Sequence, residues 1–347
     1  MRRTLGLATA VVAVGLALTA CSTSGGTPAA SSSASTTAGG GTDTFPVTIQ
    51  HAFGETTIPS QPQRVATVGW GSTESALALG VVPVGIASQA YGDDDGDGIL
   101  PWSEEKLAEL GGQTPTVYDE TDGPALETLD GLTPDVILGT YSGLTKEQYD
   151  LLSKIAPTVA YPEIAWNTPW RDLITTNAKA LGRTAEGDAL VADLEKQIAD
   201  AVAKHPEIQG KTVLFTYLNA ADLSEISFYT PGDARAAYMA DLGLATPASV
   251  TELSAGESGF YLTQSAENAD VFSDVDILVT YGGADMVKAL QADERYQAIP
   301  AVRNGAIVAL EDGSALASAV SPPTALSLPW SLDEYVGMFA DAAAKVK

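Results

Sequence analysis

The chain has 347 residues, 45% of them hydrophobic, which is enough for one large domain or two smaller ones. Its formal net charge of -26 makes it a poor candidate for binding nucleic acid or anionic lipid. That charge suits neutral or cationic ligands, or a basic protein partner.

Residues 1–20 predict a lipoprotein signal peptide. Arg2 and Arg3 precede an apolar run, residues 5–18, that is too short to span a bilayer. The run leads into Cys21, and the sequence LTAC there resembles the lipobox of bacterial lipoproteins, in which the cysteine is diacylated and becomes the new N-terminus. An ordinary signal peptide with a chance cysteine is the alternative. Cys21 is the only cysteine, so no intramolecular disulfide can form.

Residues 21–44 predict a lipidated cysteine followed by a disordered tether. This stretch is mostly Ser, Thr, Gly and Ala, with almost no side chain to bury. We therefore expect an extracytoplasmic protein, held at the outer face of the cell membrane through its lipid anchor only.

Residues 45–165 predict an N-terminal α/β lobe, because apolar strand patterns alternate with helix patterns. Such alternation favours a mostly parallel sheet covered by helices. The predicted elements are a β-rich segment at 46–58, strands at 64–70, 83–88, 135–140 and 158–161, and helices at 72–79, 126–132 and 145–155.

Residues 166–208 predict a connecting region that is nearly all helix from 170 to 205. Pro169 stands where helices begin, and the pair His205-Pro206 ends the pattern. A long helix between two α/β regions predicts two lobes on one stiff connection, with a ligand cleft between them. Two helices within one larger α/β domain are the alternative.

Residues 209–347 predict a C-terminal α/β lobe with the same alternation. One segment is repeated between the lobes: residues 125–138 and 265–279 each contain a short helix carrying a glutamate, then a turn and a buried strand. The two lobes therefore look like distant structural copies. The predicted strands are 211–218, 226–229, 276–281 and 306–310, and the predicted helices are 234–242, 286–290 and 332–346.

From residue 45 onward the chain resembles the ferric-siderophore-binding proteins of bacterial ABC importers. The resemblance rests on the order of several segments rather than on one motif, among them PQRVATVGWGSTESALALGVVPVGIAS, LTPDVILGTYSGLTKEQYDLLSKIAPTV, AIPAVRNGAIVAL and SPPTALSLPWSLDEY. It implies two α/β lobes joined by one long helix, a ligand in the cleft, and delivery to a membrane permease.

Aromatic residues follow several predicted strands, where ligands bind in open α/β sheets. Aromatic walls with few charges suit a large, flat-faced, partly polar chelate. Arg235 is the best single cationic candidate, although it could instead form a surface salt bridge with Asp233. Any one aromatic could also belong to a lobe core. The candidate ligand-binding residues are Trp70, Tyr91, Trp102, Tyr141, Trp166, Tyr217, Tyr229, Arg235 and Tyr281.

The resemblance also assigns a role to the two repeated glutamates, Glu127 and Glu267. In the family, one carboxylate on each lobe pairs with arginines of the permease, and these residues occupy the matching segments. Two solvated helix residues are the alternative.

Residues 93–104 match the spacing of an EF-hand calcium loop. The match includes a glycine at position six, Gly98, but the preceding residues do not predict an incoming helix, and Pro101 is unusual for such a loop. A structural calcium ion and a solvated acidic loop therefore both remain open. The candidate ligands are Asp93, Asp95, Asp97, Glu104 and the backbone carbonyl of Ile99.

These observations predict a monomeric binding protein, not an enzyme, that requires no cofactor. His51 and His205 lie far apart in the sequence, which argues against a site for bare zinc or manganese, so iron should arrive already chelated. We favour ferric hydroxamates, because an anionic tris-catecholate would need several basic residues in the cleft. The alternatives are a cobalamin or haem binder of the same fold and an anchored hydrolase that uses a carboxylate pair.

Overall fold

The computed structural model describes residues 43–257 and 259–347, which belong to one compact unit. The predicted signal peptide, Cys21 and the tether up to residue 42 lie outside the described residues. Asp43, which we assigned to the tether, belongs to the fold, because its carboxylate accepts hydrogen bonds from the backbone N–H and the hydroxyl of Thr184 at 3.2 and 2.6 Å. Within the described ranges, no helix has the length and apolar character needed to span a bilayer.

The N-terminal lobe is built on a five-stranded, all-parallel sheet. Its order is β5-β4-β3-β6-β7, and it follows an antiparallel hairpin formed by β1 and β2. The central strands are buried on both faces, as a parallel sheet covered by helices requires. The elements of this lobe are β1 (Val47–His51), β2 (Gly54–Ile58), β3 (Val65–Thr67), α1 (Ser72–Ala78), β4 (Gly85–Ala87), α2 (Pro101–Leu110), β5 (Thr116–Tyr118), α3 (Leu126–Leu132), β6 (Val136–Gly139), α4 (Lys146–Leu152) and β7 (Thr158–Ala160).

Two helices, not one continuous helix, connect the lobes. They are α5 (Trp170–Ala180) and α6 (Thr184–Val202), and the chain breaks between them at Gly182, whose φ of 70° is typical of glycine. The helices pack closely where Gly187 faces Ala178, because a Cβ on Gly187 would lie 2.3 Å from the Ala178 methyl group. Residues 170–205 are therefore nearly all helical, as predicted, but they form two helices, and the 19 residues of α6 form the long connecting helix.

The C-terminal lobe is built on a mixed five-stranded sheet of order β10-β9-β8-β11-β12. The pairs of β8 with β11 and of β11 with β12 are parallel, whereas β9 and β10 run antiparallel to their neighbours. Three 3-10 segments occur at Pro206–Ile208, Ala266–Phe272 and Tyr296–Ala298. The other elements are β8 (Val213–Asn219), β9 (Asp222–Tyr229), α7 (Ala234–Asp241), α8 (Ala248–Leu253), β10 (Tyr261–Ser265), β11 (Ile277–Tyr281), α9 (Ala284–Ala292), α10 (Pro300–Asn304), β12 (Ile307–Leu310), α11 (Ala315–Ala319) and α12 (Ser327–Ala343).

The two sheets place their repeated segments at equivalent positions. β6 and β11 each occupy the fourth position of a five-stranded sheet, and each follows a short helical segment, α3 or the 3-10 segment Ala266–Phe272. The sequence repeat therefore corresponds to matching parts of the two lobes.

The lobes touch along one side through the segment between β4 and α2 and through the first turn of α2. The Tyr91 hydroxyl donates to Asp312 of the C-terminal lobe at 3.0 Å. Trp102 packs against Trp330 of α12, with ring centroids 5.3 Å apart. These contacts close one flank of the cleft.

Candidate functional site

A cavity of about 550 Å³ lies on the N-terminal side of the cleft. It is formed beyond the C-terminal ends of β3, β4, β5 and β6, which meet at one edge of the parallel sheet, as expected for ligand sites in α/β folds. No Lys, Arg or His is among the described residues that line it. We call its lining the N-lobe wall; it includes Trp70, Tyr91, Glu120, Ser142, Gln148 and Trp166.

Three aromatic rings of the first lobe and the connecting region cluster at the cavity. The ring centroid of Trp70 lies 6.4 Å from that of Tyr141 in a stacked pair, and 5.3 Å from that of Trp166. Trp70 is 39% exposed and Trp166 is 36% exposed, whereas Tyr141 is buried beneath them. Two large rings therefore present apolar surface that the chain itself leaves uncovered.

Two glycines make room for these rings. Gly69 has a φ of 70°, and a Cβ there would lie 2.5 Å from the carbonyl oxygen of Tyr141. A Cβ on Gly143 would lie 2.3 Å from Nε1 of Trp166. The turns after β3 and β6 thus depend on glycine to bring Trp70 and Trp166 to the cavity.

The second lobe contributes a buried polar cluster. The guanidinium of Arg235 donates to Asp233 through two bonds of 2.8 and 2.7 Å and lies 3.8 Å from the ring centroid of Tyr229. Asp233 is fully buried and also caps α7, since it accepts the N–H of Arg235 at 2.8 Å. The salt bridge that we weighed as an alternative role for Arg235 is therefore present, but buried.

Tyr281 completes this cluster. Its hydroxyl lies 2.6 Å from that of Ser321, and burial raises its pKa. Burial would lower the pKa of Arg235, but the hydrogen bonds that it donates to Asp233 raise it, so the guanidinium stays charged. We call Tyr229, Asp233, Arg235 and Tyr281 the C-lobe wall. Tyr141 joins the two walls, because it packs in one buried cluster with Ala234, which lies between Asp233 and Arg235 in the sequence.

Glu120 is a site residue that we did not predict. It follows β5, lines the cavity and is mostly buried. Its Oε2 accepts the N–H of Gly69 at 2.9 Å, whereas its Oε1 is buried without a hydrogen-bond partner among the described residues. Burial raises its pKa to about 7. The three-residue strand β5 is too short for a periodicity argument, so no sequence pattern pointed to Glu120.

Three predicted ligand residues lie away from the cavity centre. Trp102 does not line the cavity, because its indole is buried against Trp330 and donates to Glu74 at 3.4 Å, so its contact with a ligand stays a prediction. Tyr217 is 61% exposed and lies 6.1 Å from Tyr281, beside the C-lobe wall. Tyr91 lines the cavity rim and bonds to Asp312.

Glu127 and Glu267 lie on the surface, one on each lobe. Glu127 is in the first turn of α3 and is exposed. The side chain of Glu267 is 76% exposed and lies 3.6 Å from Arg295. Both carboxylates are therefore open to a partner.

The acidic loop brings together three of its predicted metal ligands. One carboxylate oxygen from each of Asp93, Asp95 and Asp97 lies within 4.8 Å of the others. Asp93 also accepts the N–H groups of Gly96 and Gly98 at 2.9 and 2.8 Å, which folds the loop tightly. Glu104 is not in this trio, and its pKa is raised by burial and by Asp97. Ile99 donates its N–H to Asp97 at 2.8 Å.

The arginines other than Arg235 are engaged outside the cleft. Arg64 donates to the carbonyls of residues 132 and 133, and Arg171 pairs with Glu195 and Asp241. The remaining partners are Glu186 for Arg183, Asp293 for Arg295 and the carbonyl of Gln297 for Arg303. We find one arginine of the six beside the cleft aromatics.

The chain is similar to a known protein family and to several proteins of known structure. Residues 65–312 match the model of the family described as periplasmic binding protein. A crystal structure of PiaA from Streptococcus pneumoniae in complex with ferrichrome is similar, with 44% identity, a TM-score of 0.82, and coverage of 86% of this chain and 99% of that one. A periplasmic solute binding protein from Mycobacterium smegmatis has 28% identity and a TM-score of 0.69, over 86% of this chain and 98% of that one.

Among curated proteins, the probable siderophore-binding lipoprotein YfiY of Bacillus subtilis is 34% identical over 167 residues. That alignment covers 48% of this chain and 48% of YfiY. The chain thus matches about half the length of such curated relatives.

Proposed function

Because this chain belongs to the periplasmic binding protein family, we propose that it captures a ferric siderophore outside the cytoplasm and delivers it to an ABC-type importer. The observation that carries the proposal is the cavity lined by the exposed rings of Trp70 and Trp166, which offer flat apolar surface for a large chelate. The similarity to PiaA in complex with ferrichrome supports the same class of ligand. The family consists of binding proteins, so capture and release without chemistry is the expected activity.

The ligand would lie between the N-lobe wall and the C-lobe wall. Trp70, Trp166 and Tyr91 would contact its apolar faces, while Arg235 is held in place to donate to a chelating oxygen. The absence of Lys and Arg from the described cavity lining favours a neutral or cationic ferric hydroxamate over a tris-catecholate.

Calorimetric titration of the protein lacking residues 1–21 tests this proposal. Ferrichrome should bind saturably, and Trp70→Ala should weaken binding by at least about tenfold, because an aromatic contact is lost. Trp330→Ala is the matched control: Trp330 is 36% exposed, close to the 39% of Trp70, but does not line the cavity.

Ligands of other classes decide among the alternatives. Saturation by cobalamin or haemin with no response to ferric chelates would keep the fold and reject the siderophore. Binding of ferrichrome that is unaffected by Trp70→Ala would reject the proposed site.

We also propose that Glu127 and Glu267 contact basic residues of the permease. Charge reversal of both should lower uptake of ferrichrome labelled with radioactive iron by at least about tenfold in cells that carry the importer, because attraction becomes repulsion. The dissociation constant for ferrichrome should not change. Glu147→Arg with Glu252→Arg is the control pair, since it reverses one exposed glutamate on each lobe. Equal uptake by both double variants would refute the docking role.

Anchoring through Cys21 and a monomeric state complete the proposal. Cys21→Ser in the full chain should release the protein from membranes into the soluble fraction. The soluble form should sediment as a monomer with and without ferrichrome. Retention of the Cys21→Ser variant on membranes would contradict the lipid anchor.

The acidic loop is proposed to hold a calcium ion through Asp93, Asp95 and Asp97, with Glu104 and the carbonyl of Ile99 completing the site. The convergence of three carboxylates supports this assignment. Terbium, a luminescent substitute for calcium, should bind and be excited by energy transfer from the nearby Trp102, and Asp95→Ala should abolish the signal. Terbium luminescence that Asp95→Ala leaves intact would mean that the loop is only a solvated acidic turn.

A further inference from the structure

Glu120 is a carboxylate in the cavity whose hydrogen bonding is incomplete. Its Oε2 accepts from Gly69 at 2.9 Å, but its Oε1 is buried and has no partner in the described part of the chain. A buried acceptor without a donor is unfavourable. Because Glu120 lines the cavity, a rotation of its carboxyl group would bring Oε1 within reach of a molecule bound there. The side chain is therefore available to receive a donor from a ligand.

No basic side chain of the N-lobe wall balances this carboxylate. The described lining contains no Lys, Arg or His, and the neighbouring Asp119 adds a second carboxylate. Across the cleft, Arg235 already directs two hydrogen bonds of 2.8 and 2.7 Å to Asp233. The field at the N-lobe wall is therefore negative, and like charges that meet in a cleft screened from water repel strongly.

We propose that Glu120 determines the charge of the accepted ligand: it favours chelates that bring a hydrogen-bond donor or a positive group to the N-lobe wall, and it excludes anionic chelates. This inference rests on the proposed siderophore-binding function and names the residue that would set its specificity. The rings of Trp70 and Trp166 attract cations weakly through their faces but carry no net charge that repels an anion, so Glu120 carries the exclusion of anionic chelates.

The test compares three ferric chelates of different charge by calorimetry at pH 8. Ferrichrome is neutral, ferrioxamine B carries a free ammonium group, and ferric enterobactin is strongly anionic. Glu120→Gln keeps the shape of the side chain and removes its charge. It should weaken ferrioxamine B by about tenfold, strengthen or create binding of ferric enterobactin by at least about tenfold, and change ferrichrome by less than about threefold.

Asp122→Asn is the matched control. It also removes one negative charge, two residues from Glu120 in the sequence, but the Asp122 side chain is exposed and does not line the cavity. It should change the ratio of the affinities for ferrioxamine B and ferric enterobactin by less than about twofold. Glu120→Asp keeps the negative charge and should keep the wild-type preference for ferrioxamine B over ferric enterobactin. This variant still tests the inference if Glu120→Gln does not fold. Far-UV circular dichroism checks the fold of each variant.

The outcomes separate this inference from the proposed function. If ferrichrome binds but Glu120→Gln leaves the preference for charge unchanged, the role of Glu120 is refuted and siderophore binding stands. A folded Glu120→Asp variant that binds ferric enterobactin would also refute it. If the wild type binds none of the three chelates, the proposed function fails, and this inference fails with it.

Discussion

The two walls of the cleft differ in how completely their side chains are buried and hydrogen-bonded within the protein itself. In the N-lobe wall, Trp70 and Trp166 expose more than a third of their surface, and Glu120 leaves one oxygen without a partner. In the C-lobe wall, Asp233 and Arg235 engage each other through paired hydrogen bonds, and Tyr281 bonds to Ser321.

The two walls should therefore contribute to binding in different ways. The C-lobe wall holds its charged group in one place before any ligand arrives, so little conformational entropy is lost when a ligand binds there. The N-lobe wall supplies surface that only a ligand can cover. Substitutions in the C-lobe wall should therefore damage stability first, and those in the N-lobe wall should damage binding first.

The largest effect should come from Asp233→Ala. The change leaves the guanidinium of Arg235 without its buried partner and removes the cap of α7, so the free energy of unfolding should fall by about 3–5 kcal/mol. Urea denaturation measures this loss.

A second Asp-x-Arg pair in the chain provides the control. Asp293 and Arg295 form the same bonds, at 3.0 and 2.6 Å, but both side chains are more exposed than those of Asp233 and Arg235. Asp293→Ala should therefore cost much less, because solvent already screens that pair. Equal losses of unfolding free energy in Asp233→Ala and Asp293→Ala would show that burial does not make the first ion pair more important for stability than the second.

The next effect concerns the pH dependence of stability at Glu120. Its folded pKa of about 7 lies above the ordinary value of 4.5, so the folded state holds this proton more tightly than the unfolded state. The wild type should therefore lose stability relative to Glu120→Gln as pH rises from 4.5 through 7. The gap should reach about 3 kcal/mol at pH 8 and nearly vanish near pH 4. Thermal unfolding across this range measures it.

Asp119→Asn should act in the opposite direction. A hydrogen bond from the side chain of Thr121 lowers the pKa of Asp119, so its carboxylate stabilises the fold above the unfolded pKa and loses this effect as pH falls. The Asn variant should therefore be less stable than the wild type at neutral pH. If both variants changed stability in the same direction, the total number of acidic groups, and not the surroundings of each carboxyl group, would control the pH dependence of stability.

The sequence predicted the fold well where patterns were long. The buried strand runs that became β6, β8 and β11 lie within one or two residues of their predicted positions. The break at Gly182 was missed because the apolar positions of α5 and α6 both follow helical spacing, and one glycine can be tolerated within a helix. The antiparallel β10 was missed because its burial alternates at an exposed edge, which leaves a weak apolar signal.

The candidate site was predictable only in part. Trp70 and Tyr141 follow strong parallel strands, so their common edge could be inferred. The burial of Trp102 could not be inferred, because its packing depends on Trp330, more than 200 residues away in the sequence. Glu120 needed the tertiary structure, since only contact with Gly69 and burial distinguish it from the many exposed acids.

A smaller effect should come from Gly143→Ala, which should change the shape of the N-lobe wall, and so the affinity, more than it changes stability. In Gly143→Ala, the added methyl group would lie 2.3 Å from Nε1 of Trp166, so the indole must move. Affinity for ferrichrome should fall by about tenfold, while the free energy of unfolding should change by less than about 1 kcal/mol, because the displaced ring is half-exposed. Gly131→Ala is the control, since nothing lies within 4 Å of its added Cβ. Unaltered affinity in Gly143→Ala would show that the position of Trp166 does not matter.

The smallest effect should come from the contact that ties the N-lobe wall to the second lobe. The Tyr91 hydroxyl donates to Asp312 at 3.0 Å, and the residue is 37% exposed. Tyr91→Phe should therefore lower the free energy of unfolding by only about 0.5 kcal/mol. If this bond helps to hold the lobes around a ligand, the dissociation rate of ferrichrome should rise by about twofold to threefold while the association rate stays constant. Stopped-flow fluorescence measures both rates, and Tyr261→Phe, on the exposed strand β10, is the control. A slower association rate with unchanged dissociation would mean that Tyr91 shapes the open cleft instead of holding it closed.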